Sequence, residues 1–166
     1  MKNVVVKKSA TGGKGVFSNR SYTKGDVILE IDDSHVVVDP SALTKEQYEF
    51  ELDFLANGKI VIMHAPERYI NHSCNPNAYV KTVNGVRKVF AMRDILKGEE
   101  LVFDYSINGY NDGSFTCHCG SENCRGIYQG NFFKLPKALQ KKYLPYLDDW
   151  FLEQFKGEII TLQCSE

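Results

Sequence analysis

Two short segments of this chain hold residue types that chemistry uses and packing does not require. The first is RYINHSCNPNAYV, Arg68 to Val80, which crowds Asn71, His72, Ser73, Cys74, Asn75 and Asn77 around Pro76. A surface turn accounts for the proline and the asparagines, but not for the His and the Cys. The second, CHCGSENC, sets Cys117, Cys119 and Cys124 as C-x-C-x4-C in a loop rich in Gly, Ser and Asn. Thiols packed this tightly in a polar loop suit Zn2+ better than they suit a core. The ion takes four ligands in a tetrahedron, with thiolates about 2.3 Å away. One ligand must therefore come from elsewhere. Cys74 is the economical candidate, because Cys164 sits close to the chain end; His118 or His72 could replace a cysteine. Such a site ties the loop after Tyr105 back to the NHSC segment and adds folding free energy there.

The composition bounds the setting for this chemistry. A chain of 166 residues fits one domain, or one domain with an appendage. An apolar share of 43%, with ten Phe and nine Tyr, is ample for a core. A net charge of −1 gives no basic field to attract nucleic acid or an anionic membrane, so neither is expected as a direct partner. The opening MKNVVVKKSATGG has too short an apolar run for a signal peptide. No stretch approaches the roughly 18 apolar residues of a membrane span. Five cysteines, an odd number without a secretion signal, argue for reduced thiols rather than a disulfide framework. The expectation is a soluble intracellular protein, cytoplasmic or nuclear, with export as an effector left open. Cys164 has no assignable role.

The elements that must position these residues read as short strands followed by helices, a mainly β, α+β chain. NVVVKK, DVILEI and SHVVVD are β-branched runs bounded by Gly, Asp and Pro. AYVKTVNGVRKVFAM is a hairpin whose Asn84-Gly85 suits a type I′ turn. LVFDY is a further strand. One helix is expected over about Thr44 to Leu55, with Thr44 and Gln47 as a capping box. In the tail, Pro136 opens a helix, Pro145 a second, and Gly157 closes it. Leu139, Tyr143, Tyr146, Leu147, Trp150, Phe151 and Phe155 supply its apolar face. TGGKGVF, Thr11 to Phe17, matches neither a P-loop nor G-x-G-x-x-G. Its glycines suit either a plain turn or a close backbone approach to a ligand.

Four segments in order, GGKGVF, RYINHSCNPN, KGEELVFDYS and CHCGSENCRG, resemble a SET domain, the fold of most protein lysine methyltransferases. The resemblance covers roughly residues 4 to 128, lacks the cysteine-rich pre-SET region, and divides the chain into three parts. These are a SET domain at 1–112, a post-SET zinc-binding segment at 113–128, and a helical extension at 129–166. It implies a SET fold of small sheets with a pseudoknot and a helical cap. It also implies S-adenosylmethionine as methyl donor, held by Gly13, Lys14, Gly15, Asn71, His72 and Tyr105, with Arg68 as a lesser contributor. Cys74 joins Cys117, Cys119 and Cys124 in a structural Zn2+ site.

Tyr105 matches the catalytic tyrosine of the family and Phe103 the position in the substrate channel that sets how many methyl groups are added. A phenylalanine there implies di- or trimethyllysine. The transfer is a direct displacement that needs a neutral lysine amine, whose ordinary pKa is about 10.4. A narrow aromatic channel ending at a cationic sulfonium lowers that value by desolvation and like charge. Positioning supplies much of the rest, about 7–11 kcal/mol in favourable cases. The implied partner is a protein with an exposed lysine, a basic histone-like tail among the candidates. Glu46, Glu49, Glu51 and Asp53 are placed either to attract it or to form a solvated helix face. The aromatic C-terminal helices leave oligomerisation open. The competing reading is a zinc-stabilised SET-fold binding module without catalysis; the presence of Tyr105, Asn71 and His72 favours an enzyme.

Overall fold

A computed structural model describes residues 3–55 and 58–164. The chain opens with β1 (Val4–Lys8), β2 (Lys14–Ser18) and β3 (Val27–Glu30), then α1 (Lys45–Phe50), β4 (Leu52–Phe54) and β5 (Ile60–Ile62). The two-residue β6 (Asn71–His72) precedes β7 (Ala78–Val83), β8 (Val86–Ala91) and β9 (Glu100–Phe103). A second long hairpin, β10 (Tyr110–Thr116) and β11 (Ile127–Asn131), leads into α2 (Lys137–Tyr143), α3 (Asp149–Gln154) and α4 (Lys156–Cys164). Among the described residues no helix is long and apolar enough to cross a membrane.

The sheet that matters most has strand order β1-β2-β9-β6. β1 and β2 form a hairpin, β9 runs antiparallel to β2 at Val16↔Leu101, and β6 runs parallel to β9 at Asn71↔Val102 and His72↔Phe103. The rest of the NHSC segment stays tucked against the same strand. Ser73 N–H donates to the Phe103 carbonyl at 3.1 Å and Asn77 N–H to that of Val102 at 3.1 Å. The Asn77 side chain closes the seam, donating to the Glu100 carbonyl and accepting from Val102 N–H. A chain threaded beside a strand 30 residues away thereby satisfies its backbone groups without a regular ladder.

A second sheet, β3-β8-β7, carries the expected hairpin, with Asn84 and Gly85 at φ +52° and +78° as a type I′ turn needs. Val16, Ile28, Ile70, Val89, Ile95 and Leu101 fill the core between the two sheets. A separate core forms where the tail helices pack back: Tyr143, Leu147, Phe151, Ile159 and Leu162 close over Met92, Ile107 and Phe132. The expected apolar face of the tail is therefore the face that docks.

Four elements depart from the sequence expectation. SHVVVD forms no strand; it makes one bridge, Val36↔Val61, and Val38 is 94% exposed, so nothing packs the segment into a ladder. The capping box of α1 is present, but the helix stops at Phe50 because Leu52–Phe54 pairs with Ile60–Ile62. Long-range pairing there outweighs local helix preference. LVFDY ends as a strand at Phe103, where the Asp104 carboxylate accepts from Ser106 N–H and turns the chain. In the tail, Pro145 sits in a 3-10 turn, Leu144–Tyr146, and α3 starts only at Asp149. Phe155, not Gly157, breaks the helix: its φ of −111° and ψ of 32° leave the helical region while its ring packs on Phe151 and Phe133. Gly157 lies inside α4.

Candidate functional site

Tyr105 lies two residues past the end of β9, where the turn at Asp104 aims its ring back along the threaded segment. Its hydroxyl donates to the Ile70 carbonyl at 2.7 Å and its backbone N–H to His72 Nδ1 at 3.2 Å. The His72 ring packs edge-on to Tyr105 at 5.2 Å and to Tyr128 at 5.4 Å. Phe103 lies 4.8 Å from Tyr105, and Phe115 stacks on Tyr128 at 4.5 Å. Four aromatic rings and one imidazole thus pack together as one cluster at the end of β9. Burial, with Tyr128 and Asp53 adding to it, holds the Tyr105 hydroxyl well above the ordinary phenol value. Burial likewise pushes Tyr128 up to about 12, with Asp104 adding to it. Both are neutral hydroxyls near neutral pH. The Tyr105 hydroxyl therefore stands as a neutral donor to the Ile70 carbonyl.

The glycine turn approaches the same segment from the other side. Gly13 has φ +64°, a conformation that side chains rarely adopt. A Cβ on Gly15 would run into the Glu100 side chain and come within 3.2 Å of Ser9 Cβ. Asn71 Nδ2 bridges this junction, donating to the Lys14 carbonyl at 3.0 Å and to Glu100 Oε1 at 2.8 Å. Ser9 Oγ donates to the second Glu100 oxygen. Next to it opens a cleft of 230 Å³ lined by Thr11, His72, Ser73, Asn77, Glu100 and Cys119, with Arg93 and Glu99 at its edge. The cleft offers both charge signs; of the residues expected to hold the donor only His72 lines it, while Gly13, Lys14, Gly15 and Asn71 lie at the adjoining junction, where an added Cβ at Gly13 would meet nothing within 4 Å. These features fit a zwitterionic nucleoside-sulfonium donor such as S-adenosylmethionine.

Arg68 is placed apart from this cleft. It donates to Glu51 Oε1 at 2.7 Å and to the Tyr69 hydroxyl at 2.5 Å. Lys14 Nζ lies over that same tyrosine ring, 4.8 Å from its centroid. Of the acidic residues expected to face a substrate, Glu51 is thus engaged by Arg68 and Asp53 by Arg87. Glu46 is exposed; the side chain of Glu49 lies outside what the structure describes.

Cys74, Cys117, Cys119 and Cys124 come together with all four sulfurs within 4.8 Å of one another. Cys74 and Cys117 are 3.8 Å apart, the edge length that Zn–S bonds of about 2.3 Å give a tetrahedron. Two backbone groups aim at the cluster: Cys74 N–H at Cys119 Sγ, 3.5 Å, and Arg125 N–H at Cys74 Sγ, 3.4 Å. Donors to sulfur favour thiolates, so the donor set fits a structural zinc. The four cysteines are the set whose ligand atoms are mutually close; His118 is exposed, and His72 turns its Nδ1 to Tyr105 and its Nε2 toward Cys74 Sγ at 3.6 Å, beside the cluster.

Four residues at this site, Asp104, Arg125, Tyr143 and Tyr128, lie outside the expected set of site residues. Asp104 is fully buried and held by both arms of Arg125, at 2.6 and 2.9 Å, and by the Tyr143 hydroxyl at 3.1 Å. Its other face lies 3.7 Å from His72 Nδ1. Arg125 follows the last cysteine and Tyr143 belongs to α2, so zinc loop and tail helix meet on the residue next to Tyr105. Tyr128, on β11, is the fourth; it faces Phe115 across the β10–β11 hairpin, a pairing that no local pattern marks.

A family model for the SET domain matches residues 13–106. The H3 lysine-36-specific histone-lysine N-methyltransferase of Candida glabrata is 35% identical over 143 residues, covering 77% of this chain and 20% of that protein. Its counterpart from Saccharomyces cerevisiae is 36% identical over 114 residues, covering 64% and 15%. The Drosophila melanogaster histone-lysine N-methyltransferase trr is 33% identical over 136 residues, covering 74% and 6%. The chain therefore spans a fifth or less of the length of these relatives. A solved Plasmodium falciparum structure, described as a candidate histone methyltransferase, superposes with a TM-score of 0.51 at 28% identity, covering 63% of this chain and 94% of that one.

Proposed function

Because the chain belongs to the SET-domain family, we propose that it methylates the ε-amine of a protein lysine, with S-adenosylmethionine as donor and Tyr105 as the catalytic residue. The observation that carries this reading is the aromatic cluster at the end of β9, which shares His72 with the cleft next to the Asn71–glycine junction and would close as an enclosure around a lysine side chain. The donor, when bound, supplies a methyl group on a positively charged sulfur. The backbone of Gly13, Lys14 and Gly15 and the side chains of Asn71 and His72 would hold it. Arg68 supports that pocket at one remove, through Tyr69 and Lys14.

The enclosure does the work on the amine. Rings of Phe103, Tyr105, Phe115 and Tyr128 strip water from a lysine side chain, and loss of solvation disfavours its charged form. The neutral amine then has its lone pair free. A cation still tolerates this setting, since aromatic faces attract it. The Tyr105 hydroxyl, fixed by the Ile70 carbonyl, orients the reacting groups, and its raised pKa means that the amine proton must leave to solvent rather than to this tyrosine. Phe103 lacks a hydroxyl that would fill the channel, which favours di- or trimethyllysine. The zinc segment, 113–128, closes the site by bringing Phe115 and Tyr128 over His72, while the SET portion, 1–112, carries the catalytic groups and 129–166 buttresses them.

Activity of the named relatives on histone H3 lysine 36 makes a histone tail the first substrate to try, and a nuclear setting goes with it. Purified protein, labelled S-adenosylmethionine, and core histones or a lysate test the proposal, with Tyr105→Phe as control. Label on lysine that vanishes in the variant supports it. Folded, zinc-replete protein that binds no donor would return the chain to the binding-module reading.

A further inference from the structure

Asp32, His35 and His64 meet well away from the cysteines, on the insert between β3 and β6, with one carboxylate oxygen and two imidazole nitrogens within 4.8 Å of one another. Their backbones are pinned. Ile62 N–H donates to the His35 carbonyl at 3.0 Å, and Arg68 N–H to the His64 carbonyl at 2.9 Å. The two rings stand edge to face with centroids 4.2 Å apart. His64 Nε2 is buried and has no hydrogen-bond partner, although buried polar atoms normally find one. Ser34 serves the other two, with its N–H donating to Asp32 Oδ1 at 3.0 Å and its Oγ 3.4 Å from His35 Nδ1. Outer partners of this kind are what orient metal ligands. The neighbouring Arg87 is matched by two carboxylates, Asp33 and Asp53, and so does not oppose a cation.

We propose that Asp32, His35 and His64 form a second metal site, for Zn2+ or a like divalent transition ion. Two imidazoles and one carboxylate are an N,N,O set suited to that class, and three protein ligands leave a position for water or an incoming group. The segment around His35 joins β5 through one bridge and two backbone hydrogen bonds, and the ion adds a side-chain clamp there. The inference does not depend on methyl transfer.

The test uses the full chain, dialysed free of loose metal and titrated with Zn2+ against a chromophoric chelator. Wild type should take two equivalents. His64→Ala and Asp32→Asn should weaken the second by roughly 10–100-fold or more, while retaining the first, thiolate-bound equivalent, which also reports that they fold. Cys119→Ser should do the reverse, losing the thiolate equivalent and keeping this one, so failure of either site is told apart. A second equivalent absent from wild type, or indifferent to both His64→Ala and Asp32→Asn, overturns the proposal.

Discussion

Arg125 holds Asp104 with both ends of its guanidinium, Nη1 to Oδ2 at 2.6 Å and Nη2 to Oδ1 at 2.9 Å. The arginine follows the last cysteine of the zinc loop, and the aspartate precedes Tyr105. The cysteine loop is therefore tied directly to the turn that carries Tyr105. Because the same arginine offers its backbone N–H to Cys74 Sγ, three parts of the site share one residue.

Arg125→Met should be strongly destabilising, because it strands a fully buried carboxylate. Breaking a buried pair on one side costs roughly 3–5 kcal/mol. Asp104→Asn should cost a comparable amount. The double variant should recover part of the loss, since neither charge is then left alone. Urea unfolding of the four proteins measures the coupling. Strict additivity would mean the pair contributes nothing beyond its separate contacts.

Tyr105→Phe should leave the fold standing and remove the chemistry. One hydrogen bond to the Ile70 carbonyl contributes about 0.5–1.5 kcal/mol of stability. Loss of one positioned charge-stabilising group in an active site costs about 100- to 1000-fold in turnover. Stopped-time methylation assays beside a thermal melt separate the two effects. A variant that melts like wild type and still turns over at full rate would remove Tyr105 from the mechanism.

Phe103→Tyr should shift the product toward monomethyllysine with turnover of the first methyl kept. The added hydroxyl enters the enclosure beside Tyr105, whose ring is 4.8 Å away, and takes the space a methylated amine needs to rotate. Mass spectra of a peptide substrate after exhaustive reaction read this directly. An unchanged product distribution would place the control of multiplicity elsewhere, with Tyr128 the next residue to vary.

How much of this was legible depended on range. The cysteine spacing and the NHSC segment are contiguous, and four thiols have few chemical uses, so the cluster followed from the sequence. The Asn84-Gly85 turn and the Thr44 capping box are local and read equally well. What stayed hidden was long-range. Asp104, Arg125 and Tyr143 are separated by some twenty residues each, and a single charge in the turn after a strand carries no periodicity that points to its partner. The two-residue β6 is too short to have a pattern; its identity comes from Asn77 stitching it to Val102 and Glu100. α1 lost its second half for the same reason, since β5 claims Leu52–Phe54 from outside the window that helix signals cover.

Zinc removal should unravel the site from the post-SET side. Structural zinc contributes apparent binding free energies of about 10–16 kcal/mol in small zinc domains, and that energy is folding energy. A strong chelator, or Cys119→Ser, should lower the melting temperature and loosen the β10–β11 hairpin that carries Phe115 and Tyr128. Tyrosine fluorescence and hydrogen exchange at residues 110–131 report on it. A melt indifferent to chelation of metal-verified protein would argue that the cysteines are held by packing alone.

Stability should fall on the alkaline side in a way that traces to the aromatic enclosure. Tyr128 is pushed up to about 12 by burial and by Asp104, and Tyr143 is raised by the same two causes. In the unfolded chain both ionise near pH 10. Above that pH the unfolded state releases protons that the native state keeps, so unfolding becomes progressively easier. The contribution is complete below pH 10 and is lost as pH rises from about 10 toward 12. Tyr128→Phe with Tyr143→Phe should flatten the decline in urea midpoint between pH 9 and 11, even if the starting midpoint is lower. The two proteins differ only at these two hydroxyls, so the difference in slope belongs to the tyrosines. Equal slopes would mean that these hydroxyls reach solvent freely enough to ionise in the folded protein.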